Sequence, residues 1–296
     1  MKKIFLTMLL LLIFIVSCGS KNAEGTKKSG DIIKIAVNLQ SEPKSLDPQL
    51  ASDASGITID SLIYEGLTRL DQEGKVVPAA AESWEISEDG LKWVFHLRKD
   101  MKWANGDPVT AKDFAFGWLR ALDPQTASEY AYELYYIKGA KEYNEGKGKR
   151  EDVAIKTPDD NTLEIELNQP TPYLLSLFSF PTYYPVNEKF YNEAGKDFSL
   201  SADKIMGNGP YAVKKWTPET SILLAKNENY WNKDNIHLDE LEIKMISDQL
   251  AALNAFKNGE LDITELSGEQ LIEYRDDKRL YSYNKGSIKF LKFNVK

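Results

Sequence analysis

Between residues 67 and 97 the chain alternates short β-branched and aromatic runs with two four-residue turns of the same design. Residues 67–70 and 75–77 flank Asp71-Gln72-Glu73-Gly74, and 83–86 and 92–97 flank Ser87-Glu88-Asp89-Gly90. Glycine closing each turn supplies the positive φ that a hairpin loop needs, so both pairs read as antiparallel hairpins. A third hairpin is expected where 153–156 and 163–167 surround Pro158-Asp159-Asp160-Asn161. Thr110-Ala111-Lys112-Asp113 reads as a capping box ahead of a helix over 111–122, with Phe114, Trp118 and Leu122 on its apolar face. The flanks of this β-rich middle differ. Residues 32–39 read as a buried strand, 41–56 as a polar loop with Pro43 and Pro48, and 57–66 as a helix. Downstream, 211–216 and 221–226 read as paired strands. Strand 240–246, helix 248–257 and strand 261–264 then have the length of a parallel crossover, followed by a helix over 269–275. The expected class is mixed α/β, its flanking segments sharing one sheet.

The N-terminus determines the compartment rather than the fold. Lys2 and Lys3 precede a run over 4–16 that is apolar except for Thr7. A spanning helix needs roughly 20 apolar residues, so thirteen suit the core of a signal peptide instead. Ile15-Val16-Ser17-Cys18 resembles a bacterial lipobox, and Cys18 is the single cysteine. The expectation is a signal peptide over 1–17, lipidation of Cys18, and a small, polar tether over 18–30. Two acyl chains hold a protein to a membrane far better than one, so anchoring needs no spanning helix. The protein would face the periplasm or the cell exterior.

Length and charge exclude several classes. The 296 residues are about twice a typical domain, so two lobes are the prior. Lys plus Arg total 37 against 45 Asp plus Glu, a net charge of −8 that counts against a nucleic-acid binder. One Cys and two His leave little for a metal site, and no cofactor motif is present. His96 sits within a strand pattern and His237 in a polar loop. Neither neighbours a serine in a nucleophile motif. A carboxylate pair could run a glycosidase, yet 45 acids select no pair, so the chain offers no catalytic mechanism. The aromatic stretches 130–143 and 178–191 fit core packing or a ligand-burying surface, and composition leaves both open.

A resemblance decides further. Ser41-Glu42-Pro43-Lys44-Ser45-Leu46-Asp47-Pro48, Tyr64-Glu65-Gly66-Leu67, Pro78-Ala79-Ala80-Ala81-Glu82-Ser83-Trp84 and Trp103-Ala104-Asn105-Gly106-Asp107-Pro108 follow in one order. Together they resemble the family 5 extracytoplasmic solute-binding proteins of peptide ABC transporters. Asp123-Pro124-Gln125-Thr126-Ala127-Ser128-Glu129-Tyr130-Ala131 is similar to the oligopeptide-binding branch. Asn208-Gly209-Pro210-Tyr211, Asn229-Tyr230-Trp231 and Asn258-Gly259-Glu260-Leu261-Asp262 continue the match.

The resemblance implies a periplasmic-binding-protein-like type II clamp with an extra β-rich domain. One clamp lobe would comprise 31–64 and 187–290, the accessory domain 65–186, and 291–296 the start of a crossing into a second lobe that the chain lacks. Without that lobe no opposing wall would enclose a ligand. The implied function is capture of oligopeptides and their delivery to permease subunits, by a monomer. The residues implied to line the cleft are Ser52, Asp53, Ala54, Tyr130, Gln249, Glu265, Leu266 and Ser267. Gln249 stands where relatives often have an acid, Leu266 lacks a polar side chain, and Phe180 replaces a histidine. The other readings are a truncated gene product without transport function, a family receptor for nickel or an oligosaccharide, and a secreted hydrolase.

Overall fold

A computed structural model describes residues 32–282. The expectations for the signal peptide, Cys18, the tether and the 291–296 crossing lie outside the described residues. Residues 33–282 belong to one compact unit.

In chain order the elements are β1 (Lys34–Asn38), α1 (Ala54–Ile63), β2 (Thr68–Leu70), β3 (Val76–Pro78), β4 (Ala81–Ile86), β5 (Lys92–Leu97) and α2 (Ala111–Leu122). They continue with α3 (Ala140–Asn144), β6 (Ile155–Asp159), β7 (Thr162–Glu166), α4 (Leu174–Leu177), α5 (Glu188–Ala194), β8 (Tyr211–Thr217), β9 (Ser221–Lys226), β10 (Glu240–Lys244), α6 (Gln249–Lys257) and α7 (Gly268–Glu273).

The flanking segments do share a sheet, in the order β1-β10-β9-β8, with β1 parallel to β10 and the other pairs antiparallel. The middle builds a second, antiparallel sheet, β4-β5-β7-β6, and β2-β3 is a separate hairpin. Each predicted hairpin forms. Gly74 (φ 77°) and Gly90 (φ 72°) hold the left-handed conformation that their turns require. Pro158 is tolerated because β6 is an edge strand whose register shifts there.

Alternation explains how each sheet is covered. Trp93, Phe95 and Leu97 of β5 and Leu163 and Ile165 of β7 are buried, while Ile222 and Leu224 of β9 and Leu241 and Ile243 of β10 do the same in the other sheet. Both sets belong to one continuous hydrophobic core, together with Phe114 and Trp118 of α2. The α2 box forms through Asp113, whose carboxylate accepts from the Thr110 N–H at 2.7 Å and the Thr110 hydroxyl at 3.1 Å. Trp118 donates from Nε1 to the Tyr183 carbonyl (2.7 Å) and stacks on Phe178 at 5.5 Å.

Three expectations need correction. The strand read as buried over 32–39 forms as β1, but its residues are half-buried or exposed, because it pairs fully with β10 alone and meets only the Ile263 bridge on its other side. The first helix begins at Ala54, inside the stretch read as a polar loop, because Asp53 caps it. The strand expected over 261–264 is reduced to one parallel bridge, Ile263 to Val37. The Asp262 side chain takes the Ala36 N–H at 2.7 Å, so side chain and backbone share the pairing there. The crossover topology survives: β10 and the Ile263 segment both run parallel to β1, which lies between them, and α6 connects the two.

Candidate functional site

In open α/β sheets, ligands bind beyond the carboxyl ends of parallel strands, where the loops diverge. Here those ends are the loops after β1, after β10 and after Ile263. The three loops are cross-linked. Asn38 extends the β1–β10 pair by exchanging bonds with Ile246, from Nδ2 to the carbonyl (3.0 Å) and from the N–H to Oδ1 (2.9 Å). Gln40 donates to Glu265 at 3.4 Å, and the Ser41 and Ser55 hydroxyls lie 2.8 Å apart. Gln270 donates to the Gln249 carbonyl at 3.2 Å. Ser52, Asp53, Ala54, Gln249, Glu265, Leu266 and Ser267, separated by up to about two hundred residues in sequence, therefore gather on one side of the sheet.

Their side chains are not equally available. Asp53 is occupied as the cap of α1: Oδ1 accepts from Ser55 N (3.1 Å) and Gly56 N (3.0 Å), and Oδ2 accepts from Lys44 N (3.0 Å). Ser267 caps α7, its hydroxyl accepting from Gln270 N at 3.2 Å while Gln270 Oε1 takes the Ser267 N–H at 2.9 Å. Ser52 and Leu266 are half-buried, and Ala54, Gln249 and Glu265 are exposed.

Tyr130 lies apart from this set and meets Phe180 edge to face, with ring centroids 4.9 Å apart. A cavity of about 430 Å³ lies between α1 and the 176–184 segment, lined by Ile57, Thr58, Leu177 and Phe180 among others and by none of the eight residues expected from sequence. Glu133 is the one acidic side chain on its wall, and no basic side chain lines it. A second cavity, about 350 Å³, shares Ser61, Leu70, Ser179 and Tyr184 with the first and carries Arg69 and Glu65. Glu65 is buried and accepts from Tyr230 OH and, at 2.6 Å, from Trp231 Nε1. Burial raises its pKa above the usual carboxylate value, and these two hydrogen bonds partly offset the shift.

Sequence reasoning missed the α1 side chains that line the groove. Thr58 and Ser61 follow Ala54 at helical spacing, and this polar stripe was visible once the helix was started at Ala54. Among the described residues, no group of three or more His, Cys, Asp or Glu is placed to hold a metal ion, and no helix is long and apolar enough to cross a membrane. His96 faces Glu85 at 3.0 Å across the β4–β5 pair.

The profile for bacterial extracellular solute-binding proteins, family 5 Middle, matches residues 75–296. The oligopeptide-binding protein OppA of Bacillus subtilis (strain 168) is 39% identical over 307 residues, covering 100% of this chain and 56% of its own length. The dipeptide-binding protein DppE of the same organism is 37% identical, covering 95% of this chain and 53% of its own. Among solved structures, Listeria monocytogenes OppA bound to peptide superposes with a TM-score of 0.81 at 36% identity, over 83% of this chain and 49% of that one. The substrate-binding domain of an oligopeptide ABC transporter from Bacillus anthracis str. Ames gives 0.80 at 42%, over 84% and 49%. The chain thus spans about half the length of the relatives it matches.

Proposed function

The chain belongs to the bacterial extracellular solute-binding proteins of family 5, and from that premise we propose that it captures oligopeptides outside the cytoplasm for delivery to an ABC transporter permease. The observation that carries this reading is the meeting of three loops at the carboxyl end of the parallel strands, beside a groove lined by aliphatic, aromatic and hydroxyl groups. Such a surface holds an extended peptide by its backbone and tolerates varied side chains.

In this reading 31–64 with 187–290 form one clamp lobe, 65–186 the accessory domain, and 291–296 the start of a crossing. Ser52, Ala54, Tyr130, Gln249, Glu265 and Leu266 contribute directly to the peptide wall, while Asp53 and Ser267 act by fixing the helix ends that border it. Lipidation at Cys18 holds the receptor near its permease, which raises their effective concentration. Cys18→Ala is expected to release the protein from the membrane fraction, and persistent acylation of that variant would overturn the assignment.

The test of capture is photo-crosslinking of the full chain with a mixed pool of short peptides carrying a photoreactive group, at millimolar concentration. Label is expected on 54–61, on Tyr130 and Phe180, and on 265–267. Absence of label, or label confined to other surfaces, would sink the proposal, and cleavage of the pool would establish a hydrolase instead.

A further inference from the structure

The hydroxyl groups around the 430 Å³ cavity share an unusual constraint. A hydroxyl has one proton to donate, and each of these has placed it on a backbone carbonyl. Thr58 donates to Ala54 O (2.7 Å), Ser61 to Thr58 O (2.7 Å), Ser176 to Tyr173 O (2.7 Å), Ser179 to Ser176 O (2.7 Å) and Tyr184 to Ser179 O (2.8 Å). What these oxygens still present is lone pairs. Glu133, the one charged residue on the wall, carries a carboxylate that faces the Tyr132 hydroxyl and, when ionised, only accepts. The polar side chains of the cavity are therefore acceptors alone, set among the apolar surfaces of Ile57, Leu177 and Phe180.

We infer that this cavity takes a lysine or arginine side chain of the captured peptide, with Glu133 as the residue that determines this preference. The inference rests on the peptide-capture reading. Ammonium and guanidinium groups are donors with no acceptor, the complement of this wall, and both sit on methylene stems that pack against apolar surface. A glutamate side chain would meet only acceptors and a like charge. A purely aliphatic side chain would displace water from Glu133 and the hydroxyls and return no hydrogen bond. The adjoining cavity carries Arg69, so the preference for a cation belongs to the Glu133 end of the groove.

The test uses full-length protein and photoreactive alanine pentapeptides in which one residue is lysine, arginine, norleucine or glutamate, moved through each position. The readout is the peptide concentration giving half-maximal label beside Phe180. At one position, lysine and arginine are expected to need about tenfold less peptide than norleucine, a charge-assisted contact in a partly closed site. Glu133→Gln is expected to bring lysine and norleucine within about twofold, with an unchanged melting temperature showing that the fold is intact. Equal concentrations for lysine, norleucine and glutamate at every position would overturn the inference while leaving capture standing. An N-acetylated all-alanine peptide distinguishes the other source of an ammonium group. If acetylation weakens its label as much as replacing lysine does, the cavity holds the peptide's amino terminus and the side-chain assignment is wrong. No label from any peptide would overturn capture itself, and this inference with it.

Discussion

Asp60 is fully buried on α1, and neither of its carboxylate oxygens has a hydrogen-bond partner. Burial raises its pKa well above the usual aspartate value, and the charges of Asp47 and Asp53 push it the same way. The folded state therefore holds the Asp60 proton more tightly than the unfolded chain, which releases it near pH 4. The stabilisation is present below that pH and is lost as pH rises towards the folded pKa. In urea titrations, wild type is expected to lose stability relative to Asp60→Asn as pH rises from 4 to 8. A pH-independent difference between the two proteins would refute this. Asp47 illustrates the opposite outcome for a buried acid. Arg120 holds it bidentately, at 2.8 and 2.5 Å, and also donates to Gln49 at 2.8 Å. Asp47→Ala strands the guanidinium in the interior and is expected to cost about 3–5 kcal/mol in the same assay. Neither carboxylate could be assigned its fate from sequence. Asp47 and Arg120 are 73 positions apart, and only folding brings them together.

At the scale of elements, what was legible was local. The α2 helix runs over the predicted residues because its cap, apolar face and length are encoded within fifteen positions. Its Gly117 is explained only by a neighbour: a Cβ there would stand 2.7 Å from the Tyr184 carbonyl oxygen. Gly117→Ala should gain up to about 1 kcal/mol in helix propensity and still lower the melting temperature, because backbone lies in the way. A rise would show that the 184–186 segment yields. The crossing between the sheets follows the same logic. Asn208 accepts from Glu65 N (2.9 Å) and donates to Glu65 O (3.0 Å), while Gly207 leaves no room for a Cβ, which would lie 1.9 Å from Ile63 O. Asn208→Ala leaves two buried backbone groups unpaired and is expected to destabilise by about 2–4 kcal/mol in urea denaturation. The 261–264 segment was misread for a related reason. Its apolar content matched a strand, but pairing depends on what the neighbouring edge offers, and Asp262 takes part of it with a side chain.

Over the whole molecule, the β-rich middle and the flanking sheet were visible as separate stretches, whereas the core joining them was not. Residues of both sheets belong to one buried cluster, so residues 33–282 are expected to unfold in a single calorimetric transition with matching van't Hoff and calorimetric enthalpies. Two resolved transitions would show that the two four-stranded sheets melt independently. The sequence by itself determined the hairpins, the capped helices and the mixed α/β class, because turn glycines, caps and periodicity act over a few neighbouring residues. It also carried the family's motifs, and these pointed to a set of loop residues. Tertiary structure alone decided which groups from remote segments meet. It set Phe180 against Tyr130, paired Asp47 with Arg120, and brought Glu65 to Tyr230 and Trp231. Those outcomes depend on distances between segments remote in sequence, which local chemistry cannot specify until the core has closed.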